Sequence, residues 1–260
     1  VAGRFRYVGD VAALNIAVFN QTSQRWQALG AGLRARDIYA LAVALPANAS
    51  ANVSGAAGGA SGTDEMHSVF AVGSISHAGE LLLGNVARWR AQFQTWHPMK
   101  NVNGIVRAAA VMDSRLFIGG DFTVAGGQPV AAIAYTDIDD ANAADDARVR
   151  WREVGVGVQG NVHVLLAVEG CLYVGGRIDS VGDHQGVKPA NNVARWCVPR
   201  PESPLQQERW EPVQGLDRSG GTVMAMAIAD VSLGPDLSDY VASHQPLANT
   251  SNFTSAPSAP

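Results

Sequence analysis

The sequence predicts an all-β protein, a β-propeller of four-stranded antiparallel blades, with about four blades present in 260 residues. Three observations lead there. A phrase returns four times: Asn15-Ile-Ala followed by Trp26, Asn85-Val-Ala-Arg-Trp89 followed by Trp96, Ala132-Ile-Ala followed by Trp151, and Asn192-Val-Ala-Arg-Trp196 followed by Trp210. Between the returns lie short runs of β-branched and aromatic residues bounded by glycine or polar turns, which is a strand signature. Each unit is about 45 to 70 residues long, the size of one blade, and a blade buries its faces only against neighbouring blades, so repetition is a physical requirement.

The units fall at about 4–37, 38–104, 105–161 and 162–222, and a further one starts at 223. In the first, 4–8, 14–19 and 26–29 read as three strands. The second carries an insertion, 44–67, a Gly/Ala/Ser-rich loop between its first and second strands. The third reads as strands at 105–112, 116–120, 130–135 and 151–155, and the fourth at 162–168, 172–176, 192–197 and 210–213. Residues 223–229 are expected to form one more strand, making sixteen, and 231–260 a low-complexity, disordered loop or tail. Sixteen strands permit a closed four-bladed ring whose last strand completes the first blade. The tail, however, matches the insertion in composition and follows the equivalent strand, so it reads as an interrupted loop, and part of a larger propeller is the expected architecture. With no initiator Met and no basic-then-apolar leader, Val1 is read as a processed or cut end.

Within each unit the recurring residues read as structural. Gly119-Gly120 and Gly175-Gly176 end the second strand, where a side chain would obstruct close backbone approach or a positive φ is needed. Trp26, Trp96, Trp151 and Trp210 are expected to pack between adjacent blades rather than stack on a ligand. Arg88 and Arg195 alternate with buried neighbours and should point to the opposite face. The chain's two cysteines follow from register. If 172–176 pairs antiparallel with 192–196, partners share a constant index sum, and Cys171 faces Cys197. Directly opposite residues lie about 4.5–5.5 Å apart at Cβ, near the disulfide range, so a cross-strand disulfide is expected; the alternative is two buried thiols in a cytosolic protein.

A net charge of −4 and a pI near 5.8 leave no broad basic surface for nucleic acid or anionic membranes. The longest apolar runs, such as 38–46, fall far below the roughly 18 residues of a spanning helix. Five N-x-Ser/Thr sequons, at Asn20, Asn48, Asn52, Asn249 and Asn252, exceed the chance density of about one per hundred residues and point to a glycoprotein of the secretory pathway.

Catalytic, metal and cofactor chemistry finds little foothold. The six histidines show no His-x-x-x-His or His-x-His spacing, and no Gly-x-Ser-x-Gly elbow occurs. Copper oxidation of the galactose-oxidase kind needs tyrosines, histidines and a thioether cysteine, and no matched set is visible. Asp137, Asp139, Asp140, Asp145 and Asp146 form an acidic loop without calcium-loop spacing. Asp121 reads as a turn cap. On the innermost strands His163 is the only obvious polar candidate.

The run Leu-Phe-Ile-Gly-Gly-Asp-Phe-Thr-Val-Ala-Gly-Gly (116–127), with Asn-Val-Ala-Arg-Trp and the later Trp, resembles the kelch-like propeller repeats of the cortical cell-polarity marker family, large surface glycoproteins best known from fungi. The resemblance covers about residues 4–230. Its Gly-Gly-Asp-Phe form is complete only once; the other units read Val8-Gly-Asp10, Val72-Gly-Ser74 and Gly176-Arg-Ile178. It implies an extracellular ectodomain, a membrane anchor elsewhere in the full chain, and a landmark or scaffolding role.

The expected function is therefore non-catalytic: an extracellular binding or scaffolding module whose rim loops meet protein or cell-wall and surface glycan. The alternatives are a secreted propeller enzyme with a channel-centred site completed by further blades, and an intracellular kelch-type adaptor.

Overall fold

Antiparallel sheets follow one another along the chain in a computed structural model, which describes residues 1–44, 68–138, 149–199, 207–213 and 221–228. A small hairpin pairs β1 (Tyr7–Val8) with β2 (Val11–Ala12). The first sheet joins β3 (Ala17–Asn20) to β4 (Arg25–Ala28). The second contains β5 (Arg34–Ala44), β6 (Ser68–Ala78), β7 (Leu81–Leu82), β8 (Val86–Arg90) and β9 (Thr95–Pro98), ordered β5-β6-β8-β9 with β7 beside β6. The third contains β10 (Ile105–Met112) and β11 (Arg115–Asp121); after a small hairpin of β12 (Val124–Ala125) and β13 (Gln128–Pro129) come β14 (Ile133–Asp137) and β15 (Arg152–Glu153), ordered β10-β11-β14-β15. The fourth contains β16 (Gly157–Val168), β17 (Cys171–Asp183), β18 (Gly186–Pro189), β19 (Val193–Cys197) and β20 (Arg209–Pro212), ordered β16-β17-β19-β20 with β18 beside β17.

Hydrophobic cores fill the gaps between successive sheets. Ile16, Leu33, Ile75 and Trp89 lie between the first and second, Phe70, Val86, Leu116 and Ile118 between the second and third, and Phe117, Leu165, Leu172 and Val174 between the third and fourth. Inner strands serve two cores at once because period-2 side chains alternate faces: on β10, Ala109 and Val111 pack toward the second sheet, Ala108 and Met112 toward the fourth.

The recurring tryptophans bind these layers. Trp96, Trp151 and Trp210 are buried, and a buried indole N–H without an acceptor costs about 1–3 kcal/mol. Each donates one sheet back: Trp96 Nε1 to the Leu29 carbonyl at 3.0 Å, Trp151 Nε1 to Met99 at 3.2 Å, Trp210 Nε1 to Val154 at 3.3 Å. Trp26 belongs to the first sheet; it is half-buried and packs on Phe19 with ring centroids 5.0 Å apart.

The asparagine that opens the repeated phrase is a second tie. Asn15, Asn85 and Asn192 sit at φ 63°, 67° and 67°, a left-handed conformation that Asn adopts more readily than most residues. Their Oδ1 atoms accept from the main-chain N–H groups of Phe5, Ile75 and Ile178 at 3.1, 3.2 and 3.1 Å. Asn15 Nδ2 donates to the Leu33 carbonyl at 2.8 Å, and Asn85 Nδ2 to Val102 and Gly104 at 3.0 and 2.9 Å. Thus Trp reaches the preceding sheet and Asn reaches the following one.

Several boundaries differ from those read in the sequence. Residues 4–6 form no strand, and β1 pairs only with β2, so the first unit places two strands rather than three in its sheet. The inner strands begin earlier than expected, at Arg34 and Gly157. Among the described residues no strand forms over 221–228; Val223 donates to the Gly176 carbonyl at 3.0 Å, too little to continue a ladder, so the strand expected at 223–229 is not seen in its described part. Most of the 44–67 insertion and all of 231–260 lie outside the described residues.

The Cys171–Cys197 pair sits directly opposite in the β17–β19 register, Cα atoms 4.1 Å apart, and is disulfide-bonded. Denatured without reductant, the protein is expected to titrate no thiols, and reduction should cost about 3 kcal/mol for a loop of 26 residues; two titratable thiols would contradict the bridge. Ala132 occupies the asparagine position of the third sheet at φ 60°, where a methyl side chain is strained and cannot accept a hydrogen bond. Ala132→Asn would offer the Phe122 N–H the acceptor that Phe5, Ile75 and Ile178 have. It should raise unfolding free energy by about 1 kcal/mol in a denaturant titration.

Candidate functional site

The paired glycines lead to the most polar part of the inner strands. In β10 the ladder to β11 slips between Val106 and Ala108; in β16 it slips between Val162 and Val164; in β5 it slips between Ile38 and Ala40. The extra residues are Arg107, His163 and Tyr39, one per sheet at equivalent places. Such bulges re-aim a side chain that the pleat would otherwise point elsewhere.

Opposite each bulge stands a glycine, because the bulged backbone crowds in. A Cβ on Gly73, Gly120 or Gly176 would lie 2.2, 2.1 or 2.0 Å from the carbonyl oxygen of Asp37, Ile105 or Asn161. Gly119 and Gly175 have a different neighbour: their Cβ positions fall 2.4 Å from Val162 and 2.8 Å from Val223 side-chain atoms. None of these glycines has a positive φ, so close approach, not left-handed backbone, selects them.

The re-aimed groups converge. Arg107 donates through Nε and Nη2 to Asp121 Oδ2 at 2.8 and 2.5 Å, and its guanidinium lies 5.3 Å from the Tyr39 ring centroid. Asn161 Nδ2 donates to Asp121 Oδ1 at 2.5 Å. One carboxylate therefore ties the bulge of the third sheet to the fourth, while Arg107 stacks on the second. Burial alone would push the Asp121 carboxyl up, but the hydrogen bonds from Arg107 and Asn161, with the charges of Arg107 and His163, hold it below the ordinary carboxylate range. The hydrogen bond to Asp121 raises the Arg107 guanidinium in turn.

Asp121 is thus not a turn cap. Its partners lie 14 and 40 residues away, beyond any local turn. Sequence reasoning reached His163 but missed Tyr39, Arg107 and Asn161. The available signal was the Gly-Gly pair, whose partner strand had to bulge.

The other expected residues are dispersed. Arg88 lies on the face opposite its neighbours but is buried, its side chain over Phe70 and bonded to Ser68 Oγ at 2.7 and 3.0 Å; burial, helped by Arg90, pulls it down to about 10. Arg195 pairs with Glu211 and Tyr173. Asp137 pairs with Arg152 and, at 3.7 Å, with Arg115, while Asp139, Asp140, Asp145 and Asp146 lie outside the described residues. Asn20 ends β3, its Oδ1 accepting from the N–H groups of Thr22 and Ser23, each at 2.9 Å. Asn48, Asn52, Asn249 and Asn252 lie outside the described residues. Among those described, no group of three His, Cys, Asp or Glu side chains is placed to hold a metal, and no helix is long and apolar enough to cross a membrane.

Comparison of the chain with models of known protein families finds no match, and none of the curated proteins matches it.

The bulge network makes stability pH-dependent with a definite sign. Because the folded-state Asp121 carboxyl lies below its unfolded value, its contribution is complete above the unfolded range near pH 4 and is lost as pH falls through the folded value. Arg107→Gln should lower unfolding free energy by about 1 kcal/mol at pH 7, and acid titration followed by circular dichroism should show the gap to the wild type closing as Asp121 protonates. A gap that stayed constant to the acid limit would contradict the assignment.

Proposed function

We propose that the protein is a non-catalytic, extracellular β-propeller that serves as a binding or scaffolding module of a cell-surface glycoprotein. The observation that carries this reading is the division of labour among repeated positions. Trp, Asn and Gly at repeat-equivalent places are consumed by sheet-to-sheet bonds and close approach, whereas Tyr39, Arg107 and His163 occupy one equivalent place with unlike chemistry. A scaffold that repeats and a locus that varies is how propellers serve recognition.

Each four-stranded sheet has the strand number and order of a blade. On β5, Ala42 and Ala44 are buried against the third sheet, but Leu41 and Val43 on the other face are 38% and 51% exposed. That is the face an inner strand of a preceding blade would cover, which favours a larger propeller. The resemblance to cell-polarity marker repeats adds a landmark role, with an anchor elsewhere in the full chain.

A second reading, a secreted propeller enzyme, draws on the position of His163 beside Asp121. It is the weaker, since Asp121 is already engaged by Arg107 and Asn161. An intracellular adaptor has only the repeat itself in its favour.

Glycan mapping of the protein purified from a secreting eukaryotic host tests the proposal. Occupied Asn20 is expected, with Thr22→Ala abolishing that glycan, together with less than stoichiometric copper or zinc by elemental analysis. Unmodified sequons would overturn the extracellular setting; stoichiometric metal would favour the enzyme.

A further inference from the structure

The asparagine tie has a consequence peculiar to the first repeat. Asn15 Oδ1 accepts from the Phe5 N–H at 3.1 Å, its own main-chain N–H donates to the Phe5 carbonyl at 2.9 Å, and its Nδ2 donates to the Leu33 carbonyl at 2.8 Å. Arg4 and Arg6 flank Phe5, and Arg34 follows Leu33. One buried side chain therefore brings three arginines to the lining of a single cleft of about 510 Å3, to which Phe5 also contributes. That volume lies within the roughly 300–1,000 Å3 of small-ligand sites.

The repeat supplies its own control. The residues equivalent to Arg4, Arg6 and Arg34 are Ser74, Ser76 and Asn103 around Asn85, and Asp121, Thr123 and Gln159 around Ala132. Around Asn192 the first two are Arg177 and Asp179, opposite charges, in a smaller cleft of about 270 Å3. The scaffold thus has no need of arginine at these places, and only the first repeat gathers three cations there without an acid in the lining. Among the described residues the Arg4, Arg6 and Arg34 side chains make no hydrogen bond or ion pair, as is also true of Arg25, Arg150 and Arg177, but only these three line one cleft together, whereas Arg107, Arg115, Arg152, Arg195 and Arg209 are all paired. Unshared positive charge concentrated on a protein of net charge −4 is the electrostatic mark of an anion's seat.

We propose that the Asn15 cleft binds an acidic polysaccharide, its carboxylate or sulfate groups meeting Arg4, Arg6 and Arg34 and a sugar ring lying on Phe5. The guanidinium forks match planar oxyanions bidentately, and Phe5 adds an aromatic residue to the lining for the C–H face of a pyranose. The choice of saccharide over an acidic peptide rests on the proposed cell-surface setting.

Isothermal titration calorimetry with a polygalacturonate oligosaccharide and with a sulfated uronate–glucosamine oligosaccharide tests it. The wild type should bind at least one of them, several-fold more weakly when salt rises from about 50 to about 200 mM. The variant carrying Arg4→Gln, Arg6→Gln and Arg34→Gln should lose about tenfold or more, with a thermal midpoint within about 2 °C of the wild type, as expected of exposed substitutions. Arg25→Gln with Arg150→Gln should leave affinity unchanged. Should the triple variant fold poorly, Arg34→Glu alone must weaken binding more than Arg34→Gln. Absence of binding to both oligosaccharides, equal loss in the Arg25/Arg150 variant, or tighter binding of an equally charged phosphopeptide or oligonucleotide would each overturn the proposal. Such a failure alongside an occupied Asn20 glycan would leave the extracellular reading standing, so the two are separable.

Discussion

No sheet of this protein can be stable alone, because both faces of its inner strands are apolar and need cover. Everything else answers that constraint. Packing supplies most of the cohesion, since burying one large side chain contributes about 1.5–3 kcal/mol, but packing alone is non-directional. Direction comes from two hydrogen bonds of about 1 kcal/mol net each. Trp210 Nε1 reaches back to Val154, and Asn85 Nδ2 reaches forward to Val102 and Gly104. Their net energies are modest; their larger effect is on register, because a sheet that slid against its neighbour would strand a buried indole N–H, at about 1–3 kcal/mol, and a partly buried amide together.

The repeated phrase made the third strand of each sheet, and hence the Cys171–Cys197 pairing, readable directly, because antiparallel register is arithmetic once two strands are placed. The asparagine was readable as a marker and not as a tie, since its role depends on a positive φ and on carbonyls 17 to 19 residues away. Tyr39, Arg107 and His163 escaped for a related reason. A bulge belongs to a pair of strands, so inspection of the inner strand alone places Arg107 in an ordinary alternation. The glycines across the ladder carry the information, since each marks a place where the partner backbone crowds in. Residues 223–228 misled in the opposite sense: the alternation of a strand is present, but a strand needs a partner along its length, and only Val223 finds one.

Where function is concerned, the same constraint decides which positions are free to differ. A residue whose side chain completes an interlayer bond cannot change without leaving a buried polar group unmet. A residue held only through its main chain can. Phe5, Ile75, Phe122 and Ile178 lie in segments fixed by backbone hydrogen bonds to the residue that opens the phrase, so the course of the backbone there does not depend on which side chains flank them. Those flanks hold three arginines in the first repeat, serines and an asparagine in the second, and an aspartate in the third.

The bulges form a second row of the same kind, since the extra residue of a bulge is set by the backbone slip and not by its own side chain. The two rows meet at Asp121, a flank residue of the third repeat that takes Arg107 from the bulge row and Asn161 from the next sheet. There the protein has used its freedom to neutralise charge within itself. At Arg4, Arg6 and Arg34 it has not, and the same backbone presents its charge to solvent. At Asp121 the partner arginine comes from the inner strand of the same sheet, whereas the described first sheet is β3 and β4, so the charge of the three arginines is left to what the cleft meets.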